Sequence, residues 1–152
     1  MRKLVIAAGL ACALTAVPVT AAGASSTATF KGKGSGTLTL AGGSFTIDGT
    51  VHVANVGAVS FHSSGATTSP GHVAYTTTFT APNGGTITTS STGTARSTRL
   101  GRIFLTNDTV TGGTGRFADA AGRGRTAAKA KLSAPNATTG SVKFVLAGKI
   151  TY

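Results

Sequence analysis

Hydrophobic and polar residues alternate along much of this chain, which is the pattern of a β-strand with one buried face. Val73, Tyr75, Thr77 and Phe79 form one such set. A second set lies near the C-terminus, and its members are Val142, Phe144, Leu146, Ile150 and Tyr152, with Gly148 in the gap. Lys143, Lys149 and Thr151 fall on the opposite face. Both segments are therefore predicted to be half-buried strands.

Turn-forming residues separate these segments from others of the same kind. Residues 41–44 (Ala-Gly-Gly-Ser) join two alternating stretches, and residues 69–71 (Ser-Pro-Gly) and 82–85 (Pro-Asn-Gly-Gly) bound the set that begins at Val73. Val51 and Val53 continue the second stretch, and Val59 and Phe61 belong to the next strand. A weaker strand pattern begins at residues 86–88, and a stronger one covers residues 102–110. The total is about eight or nine short strands joined by tight turns. We predict an all-β fold, a single antiparallel up-and-down β-barrel of about eight strands, with a sandwich as the alternative.

Residues 118–131 are rich in alanine and could be scored as a helix. Gly122 and Gly124 interrupt the segment, and no capping residue precedes a sustained apolar stripe. As a strand it places small and apolar residues on one face and basic residues on the other. We therefore predict a strand here, with Gly124, Thr126, Ala128, Ala130 and Leu132 facing one way.

The N-terminus has the pattern of a secretory signal. Arg2 and Lys3 precede an apolar run from Leu4 to Val17, and residues 22–24 (Ala-Gly-Ala) form a small-residue cleavage site. The run is shorter than the roughly 20 residues that span a bilayer. We predict a signal peptide at residues 1–24 and one β-barrel domain at residues 25–152, secreted to the extracellular space. The only cysteine, Cys12, lies in the signal, so the domain has no disulfide.

The charge of the chain is strongly positive and unevenly placed. The formal net charge is +11, and without Arg2 and Lys3 it is +9, from 12 basic and 3 acidic residues. If the last two strands pair, their outer face carries a basic stripe. Its residues are Arg123, Arg125, Lys129, Lys131, Lys143 and Lys149. Such a stripe could bind an anionic cell-wall or extracellular polymer, or could serve only solubility and the blocking of sheet edges.

A glycine-rich segment follows the strand at residues 102–110. Consecutive glycines there predict a tight turn with positive φ, and Phe117 is predicted to pack inward just after it. The segment resembles the signature G-G-T-G-x-F-x-x-A-x-G of the dirigent and allene-oxide-cyclase-like barrels, a close version of which occurs in small exported actinobacterial proteins. The matching residues are Gly112, Gly113, Thr114, Gly115, Phe117, Ala120 and Gly122. The resemblance implies an eight-stranded antiparallel barrel.

The catalytic groups of those families find few counterparts in this sequence. The resemblance implies a buried glutamate for the cyclases, and this chain contains no glutamate. For dirigent proteins it implies pocket aspartates, and the candidates here are Asp48 and Asp108, since Asp119 lies in the glycine segment. We name no catalytic residue and keep Asp48 and Asp108 as candidate ligand-pocket residues.

No other constellation in the sequence indicates a cofactor or metal. Alternation places His52 and His62 on outward faces, and His72 follows a turn, so the three histidines are not expected to form a metal site. No G-x-S-x-G nucleophile elbow occurs. The expected function is a non-enzymatic role for a secreted barrel that is surface-associated or binds a small apolar ligand. The alternatives are a polyanion-binding protein and a cyclase- or dirigent-like enzyme.

Overall fold

The computed structural model describes residues 26–152 except Asn55 and Leu100. The described chain forms eight strands and one short 3-10 turn, η1. In chain order these are β1 (Thr27–Ala41), β2 (Ser44–Val53), β3 (Gly57–Ser69), β4 (His72–Thr80), β5 (Thr86–Thr98), β6 (Gly101–Gly113), η1 (Gly115–Phe117), β7 (Ala121–Leu132) and β8 (Thr139–Thr151). The predicted signal peptide and Ser25 lie outside the described residues, so that division stays a prediction.

Each strand pairs antiparallel with the next, and β8 pairs with β1, which closes the sheet into a barrel. The expected all-β, up-and-down barrel of eight strands is confirmed, and the sandwich is not formed. The alanine-rich segment is strand β7, as expected, with Thr126 and Ala128 turned inward and Arg125 and Lys129 outward. Among the described residues no helix is long and apolar enough to span a bilayer.

The turns follow from glycine placement. β1 and β2 are joined by Gly42 and Gly43, whose φ values are 54° and 91°. Two successive residues with positive φ define the hairpin turn whose twist matches that of the flanking strands, and glycine adopts it without steric cost. The turn predicted at residues 41–44 is therefore present.

Inward side chains fill the barrel in three layers along its axis. The layer at one end has a buried core of Leu38, Phe45, Val73, Phe104, Ala130 and Val142. The middle layer contains Val51, Val59, Phe61 and Leu146, and the other end contains Ala81, Phe117, Ala120 and Ile150. With no disulfide in the described domain, burial of these side chains is the main source of stability.

The first strand brings backbone close to an aromatic ring. Gly34 faces inward on β1, and a Cβ there would overlap the ring of Phe144 and lie 2.8 Å from the carbonyl oxygen of Thr50. Phe144 in turn packs edge-on against Phe61, with ring centroids 5.1 Å apart. The missing side chain at Gly34 thus makes the space that an aromatic ring from β8 occupies.

The glycine segment differs from expectation in one respect. Gly112 and Gly113 belong to strand β6, next to a shift in its register with β5, and they do not form a turn. A Cβ at Gly113 would overlap the backbone of Phe117 and approach the carbonyl oxygen of Thr86. The turn begins at Gly115, whose φ is 61°. Phe117 follows it and is buried at the end of the barrel, as predicted.

We expect Gly34→Ala to lower the free energy of unfolding by about 1 to 3 kcal/mol, because the new methyl group overfills a packed site bounded by backbone. The matched control is Ser35→Ala on the outward face of the same strand, which should change stability by less than about 0.5 kcal/mol. Urea unfolding of both variants measures the difference. Equal stability of the two variants would contradict the close packing of β1 against β8.

Candidate functional site: the barrel interior

Two adjacent spaces lie inside the barrel. The larger, which we call the mouth pocket, encloses about 230 Å³ at the end of the barrel where Phe117 lies. The smaller, the inner cavity, encloses about 70 Å³ deeper in the barrel. The lining residues that the two share are Phe30, Phe79, Thr89 and Leu146. The layered core therefore leaves space that leads from one end of the barrel toward its middle.

The mouth pocket is apolar except at its rim. Its walls are formed mainly by inward side chains, which include Val59, Ile87, Val110 and Ile150. The one charged residue in the lining is Arg116, whose guanidinium lies 4.7 Å from the centroid of the Phe117 ring. That contact is a cation–π interaction and fixes the cation at the pocket entrance. Tyr152 packs edge-on against the same ring, with centroids 5.2 Å apart.

The inner cavity has one polar wall. Thr126 Oγ1 donates a hydrogen bond to one carboxylate oxygen of Asp108 at 2.7 Å, and Thr106 Oγ1 donates to the other at 3.1 Å. Because the Thr106 proton is used in this way, the Tyr75 hydroxyl donates to Thr106 Oγ1, at 2.9 Å. Tyr75, Thr106 and Asp108 thus form a directed chain from phenol to carboxylate, with Thr126 as a second donor.

The same surroundings change the acidity of the phenol. Burial raises the pKa of the Tyr75 hydroxyl above its usual value of 10.0, and the nearby charge of Asp108 raises that pKa further. Hydrogen bonds with Thr106 and Ser91 act in the opposite direction and are smaller than the effect of burial. Tyr75 therefore remains a neutral hydrogen-bond donor at physiological pH.

Of the two candidate pocket aspartates, the structure places only Asp108 inside the barrel. Asp48 lies outside, because β2 turns Phe45, Ile47 and Val51 inward and Asp48 falls on the opposite face. Its side chain is 67% exposed and its Oδ1 lies 2.6 Å from Nδ1 of His62. Asp48 is thus removed from the candidate pocket, and the ligand role of Asp108 stays a prediction.

Sequence reasoning missed the partners of Asp108. The alternation of Tyr75 with Val73 and Phe79 predicts that it points inward. Nothing in the sequence indicates that its hydroxyl takes part in a polar site and that the ring does not serve packing alone. Thr106 faces inward on β6 between Phe104 and Asp108. Thr126 faces inward on β7 between Gly124 and Ala128. A hydroxyl at an inward position of an otherwise apolar strand is the signal that could have found them.

The predicted basic residues lie on the outside of the barrel, on one surface. We call the outward residues of β7 and β8 the basic face, and they comprise Arg123, Arg125, Lys129, Lys131, Lys143 and Lys149. In the β7–β8 pairing, Lys129 stands directly opposite Lys143 and Arg123 opposite Lys149. Whether this face binds a partner stays a prediction.

No metal site accompanies these features. Within the residues that the structure describes, no three His, Cys, Asp or Glu side chains come together in a group that could hold an ion. His52 and His62 are exposed on neighbouring outward faces, and His72 lies at the start of β4. The chemistry available inside the barrel is therefore that of a carboxylate, a phenol and hydroxyl groups.

These features define the class: a closed eight-stranded antiparallel barrel of the dirigent type. Among solved structures, the pterocarpan synthase dirigent protein GePTS1 is similar, with a TM-score of 0.53 over 82% of this chain and 85% of that one, at 11% sequence identity. A likeness at this identity establishes the fold alone. It confirms the dirigent-like barrel inferred from the glycine segment. No protein-family model matches the chain, and no curated protein matches it.

We expect the raised pKa to be visible in a spectrophotometric titration. The chain has two tyrosines, so a Tyr152→Phe background leaves Tyr75 as the only chromophore of its kind. Its transition should lie above pH 10, and Asp108→Asn should move it down, because the carboxylate charge that opposes ionisation is removed. Folding must be followed in parallel by far-UV circular dichroism.

The corresponding effect on stability has a defined sign. Because the pKa in the folded state is raised, the contribution of Tyr75 is complete below pH 10 and is lost as the pH rises through the folded-state value. Tyr75→Phe should therefore reduce the fall in unfolding free energy above pH 10. A Tyr75 transition at or below pH 10 in the folded protein would contradict the buried hydrogen-bonded chain.

Proposed function

We propose that this protein is an exported, non-enzymatic β-barrel that holds a small apolar ligand in its interior. The observation that carries the proposal is the mouth pocket: about 230 Å³ of apolar space at one end of a closed barrel, continuing toward an inner cavity with a polar wall. Pockets of this kind combine apolar walls with a few placed polar groups that orient the ligand.

The volume limits the size of the ligand. An apolar cavity of about 150 Å³ holds benzene, so a pocket of this size suits a substituted single ring or a short aliphatic chain. Larger polycyclic molecules would require the core to repack. The inner cavity, at about 70 Å³, adds room for a small polar substituent near Tyr75 and Asp108.

Arg116 indicates the polarity of the ligand. It is the only charged residue that lines the mouth pocket, and it stands at the rim beside exposed Val56 and Tyr152. A ligand with its apolar body in the pocket and an acidic group at the rim would make a charge-assisted hydrogen bond with the guanidinium. We therefore expect an amphiphilic organic anion to bind more tightly than its neutral counterpart.

The export part of the proposal rests on residues 1–24. Their charged start, apolar run and small-residue cleavage site support secretion. N-terminal sequencing of protein recovered from the culture medium of a secreting host tests this part. A mature chain that begins near Ser25 is expected, and retention of Met1 in secreted or cell-bound protein would contradict it.

An enzymatic role is the second candidate, and one observation favours it. The carboxylate of Asp108 and the phenol of Tyr75 both line the inner cavity, where a bound molecule could accept or donate a proton. Asp108→Asn separates the two roles once a ligand is found. A wild-type protein that binds the ligand and leaves it chemically unchanged supports the non-enzymatic proposal, whereas turnover that Asp108→Asn abolishes with binding intact would support catalysis.

We expect Val110→Phe to abolish ligand binding, because the larger ring fills the mouth pocket. Calorimetric titration of the wild-type protein with 3-phenylpropionate, octanoate and indole should show binding of at least one compound, and the variant should weaken it at least tenfold. Thr109→Phe adds the same ring at the neighbouring outward position and is the matched control. Absence of binding for all three compounds, or equal binding by the two variants, would overturn the proposal.

A charge test at the rim accompanies this experiment. We expect Arg116→Gln to weaken 3-phenylpropionate about tenfold, which corresponds to the loss of one charge-assisted hydrogen bond. The neutral analogue 3-phenylpropanol should bind both proteins equally, since it has no charge for Arg116 to pair with. An equal loss for acid and alcohol would contradict the assigned role of the guanidinium.

A further inference from the structure

The outside of the barrel carries a concave surface separate from the interior pocket. It is open to solvent, has a volume of about 1090 Å³ across strands β6, β7, β8, β1 and β2, and adjoins a second open concavity of about 680 Å³. We call the two together the outer trough. The lining residues that they share are Lys33, His52, Ala127 and Val145. The trough crosses the strands and follows the hydrogen-bonding direction of the sheet.

The floor of the trough is aliphatic. Leu105, Ala127 and Val145 are directly paired in successive strands, so their outward side chains form one continuous row. Leu105 is 57% exposed and Val145 49%, and Ile103 next to them is 39% exposed. Single exposed apolar residues are ordinary, but a contiguous row of them in a concave surface marks a binding site.

Cations surround this floor. Lys31 and Lys33 lie on β1, next to β8, and extend the basic face of β7 and β8. Lys33 is paired directly with Val145, so it follows Val145 in the row that crosses the strands. The cationic residues that line the trough are Lys31, Lys33, Arg125, Lys129 and Lys143. Sequence reasoning had not joined Lys31 and Lys33 to the face, because closure of β8 on β1 was needed to bring them there.

No carboxylate balances these charges. The three acidic residues are Asp108 inside the barrel, Asp48 on the outer side of β2 and Asp119 after η1. In the part of the chain that the structure describes, the one close contact between a carboxylate and a basic side chain is that of Asp48 with His62. The trough therefore presents a field of a single sign.

The arrangement is costly to the fold, and edge protection does not account for it. Like charges directly opposite each other on paired strands, as Lys129 and Lys143 are, destabilise a sheet. Lysines are often placed on strands to stop edge-to-edge association, but a closed barrel has no free edge to protect. A bound anion would remove the repulsion.

We propose that the outer trough binds a linear polyanion in which phosphodiester groups alternate with aliphatic polyol units. The concave shape suits a strand-like polymer rather than a planar bilayer. The aliphatic row would contact the carbon backbone of the polymer, and the lysines would neutralise its phosphates as mobile point charges. Phe, Tyr and Trp are absent from the outward positions of the trough, so the base stacking used in single-stranded nucleic-acid binding has no platform. Two copies of this cationic surface would repel one another.

The test uses poly(glycerol phosphate) as the probe and inorganic polyphosphate, which has no carbon backbone, as its comparison. Affinity for both is measured as a function of salt concentration by fluorescence anisotropy. We expect Lys129→Gln/Lys143→Gln to reduce the slope of log affinity against log salt by about two, one for each lost phosphate contact. The matched control, Arg99→Gln/Arg102→Gln, removes the same charge from exposed residues at the β5–β6 end of the barrel and should leave the slope unchanged.

The aliphatic floor is tested with Leu105→Thr/Val145→Thr, which keeps all charges and the β propensity of both strands. Poly(glycerol phosphate) affinity should fall at least fivefold, while polyphosphate affinity should not change. Equal behaviour of the two polymers with this variant would overturn the proposal, as would equal effects of the two charge variants. Tighter binding to single-stranded DNA, to heparin or to phosphatidylglycerol vesicles would also overturn it. So would a homo-oligomer that the Leu105→Thr/Val145→Thr variant dissociates.

Discussion

Pairing of β8 with β1 closes the sheet, and the core, the interior cavities and the outer surface all form only because the sheet is closed. The two strands are in register from Thr27 opposite Thr151 to Thr39 opposite Thr139, and this pairing turns an open meander into a barrel. Closure satisfies the backbone groups of the first and last strands, which a sheet of this length would otherwise expose. It also gives the sheet an inner and an outer face, so that successive residues of each strand point alternately into the core and toward the surface. Without a cysteine in the described domain, this closure takes the place of a covalent link.

The inside and the outside have different chemistry because the sequence alternates in charge as well as in hydropathy. Seven phenylalanines and Tyr75 line the inner cavity or the mouth pocket, and one aspartate is held there by two threonine hydroxyls. The basic residues of β7 and β8 occupy outward positions, which alternate along each strand with the inward ones. Arg116 stands where the two surfaces meet, at the rim of the mouth pocket. The two binding proposals therefore concern separate surfaces and can fail independently.

Much of the fold could be predicted from alternation, and the parts that could not have a physical reason. In β1 the inward positions include Gly32, Gly34 and Gly36, which give no hydrophobic alternation, so the sequence pattern does not reveal how far the strand extends toward Thr27. In β5 the inward positions include Thr89, Ser91 and Gly93, which lack hydrophobic contrast with their neighbours, so only its first three residues were recognised. Small residues at these positions leave room for aromatic rings from other strands, and which rings occupy that room can be seen only in the folded structure.

The candidate site was less predictable than the fold. Asp108 was named from its residue type, but its threonine partners come from β6 and β7 and depend on register. Asp48 was named by the same reasoning and lies outside, because alternation within β2 settles its direction and was not applied to it. The mouth pocket arises from the size of side chains on seven different strands together with η1, so no local sequence pattern predicts it.

Binding inside the barrel can be observed by methyl-resolved NMR of the purified domain during titration with 3-phenylpropionate. We expect chemical-shift changes concentrated in Val59, Ile87, Val110 and Ile150, which line the mouth pocket. Leu105 and Val145 on the outer trough serve as internal reference methyls and should not respond. Saturable shifts confined to the first group would place an organic ligand inside the barrel. Shifts confined to Leu105 and Val145, or no shifts at all, would contradict the assignment of the interior as the binding site.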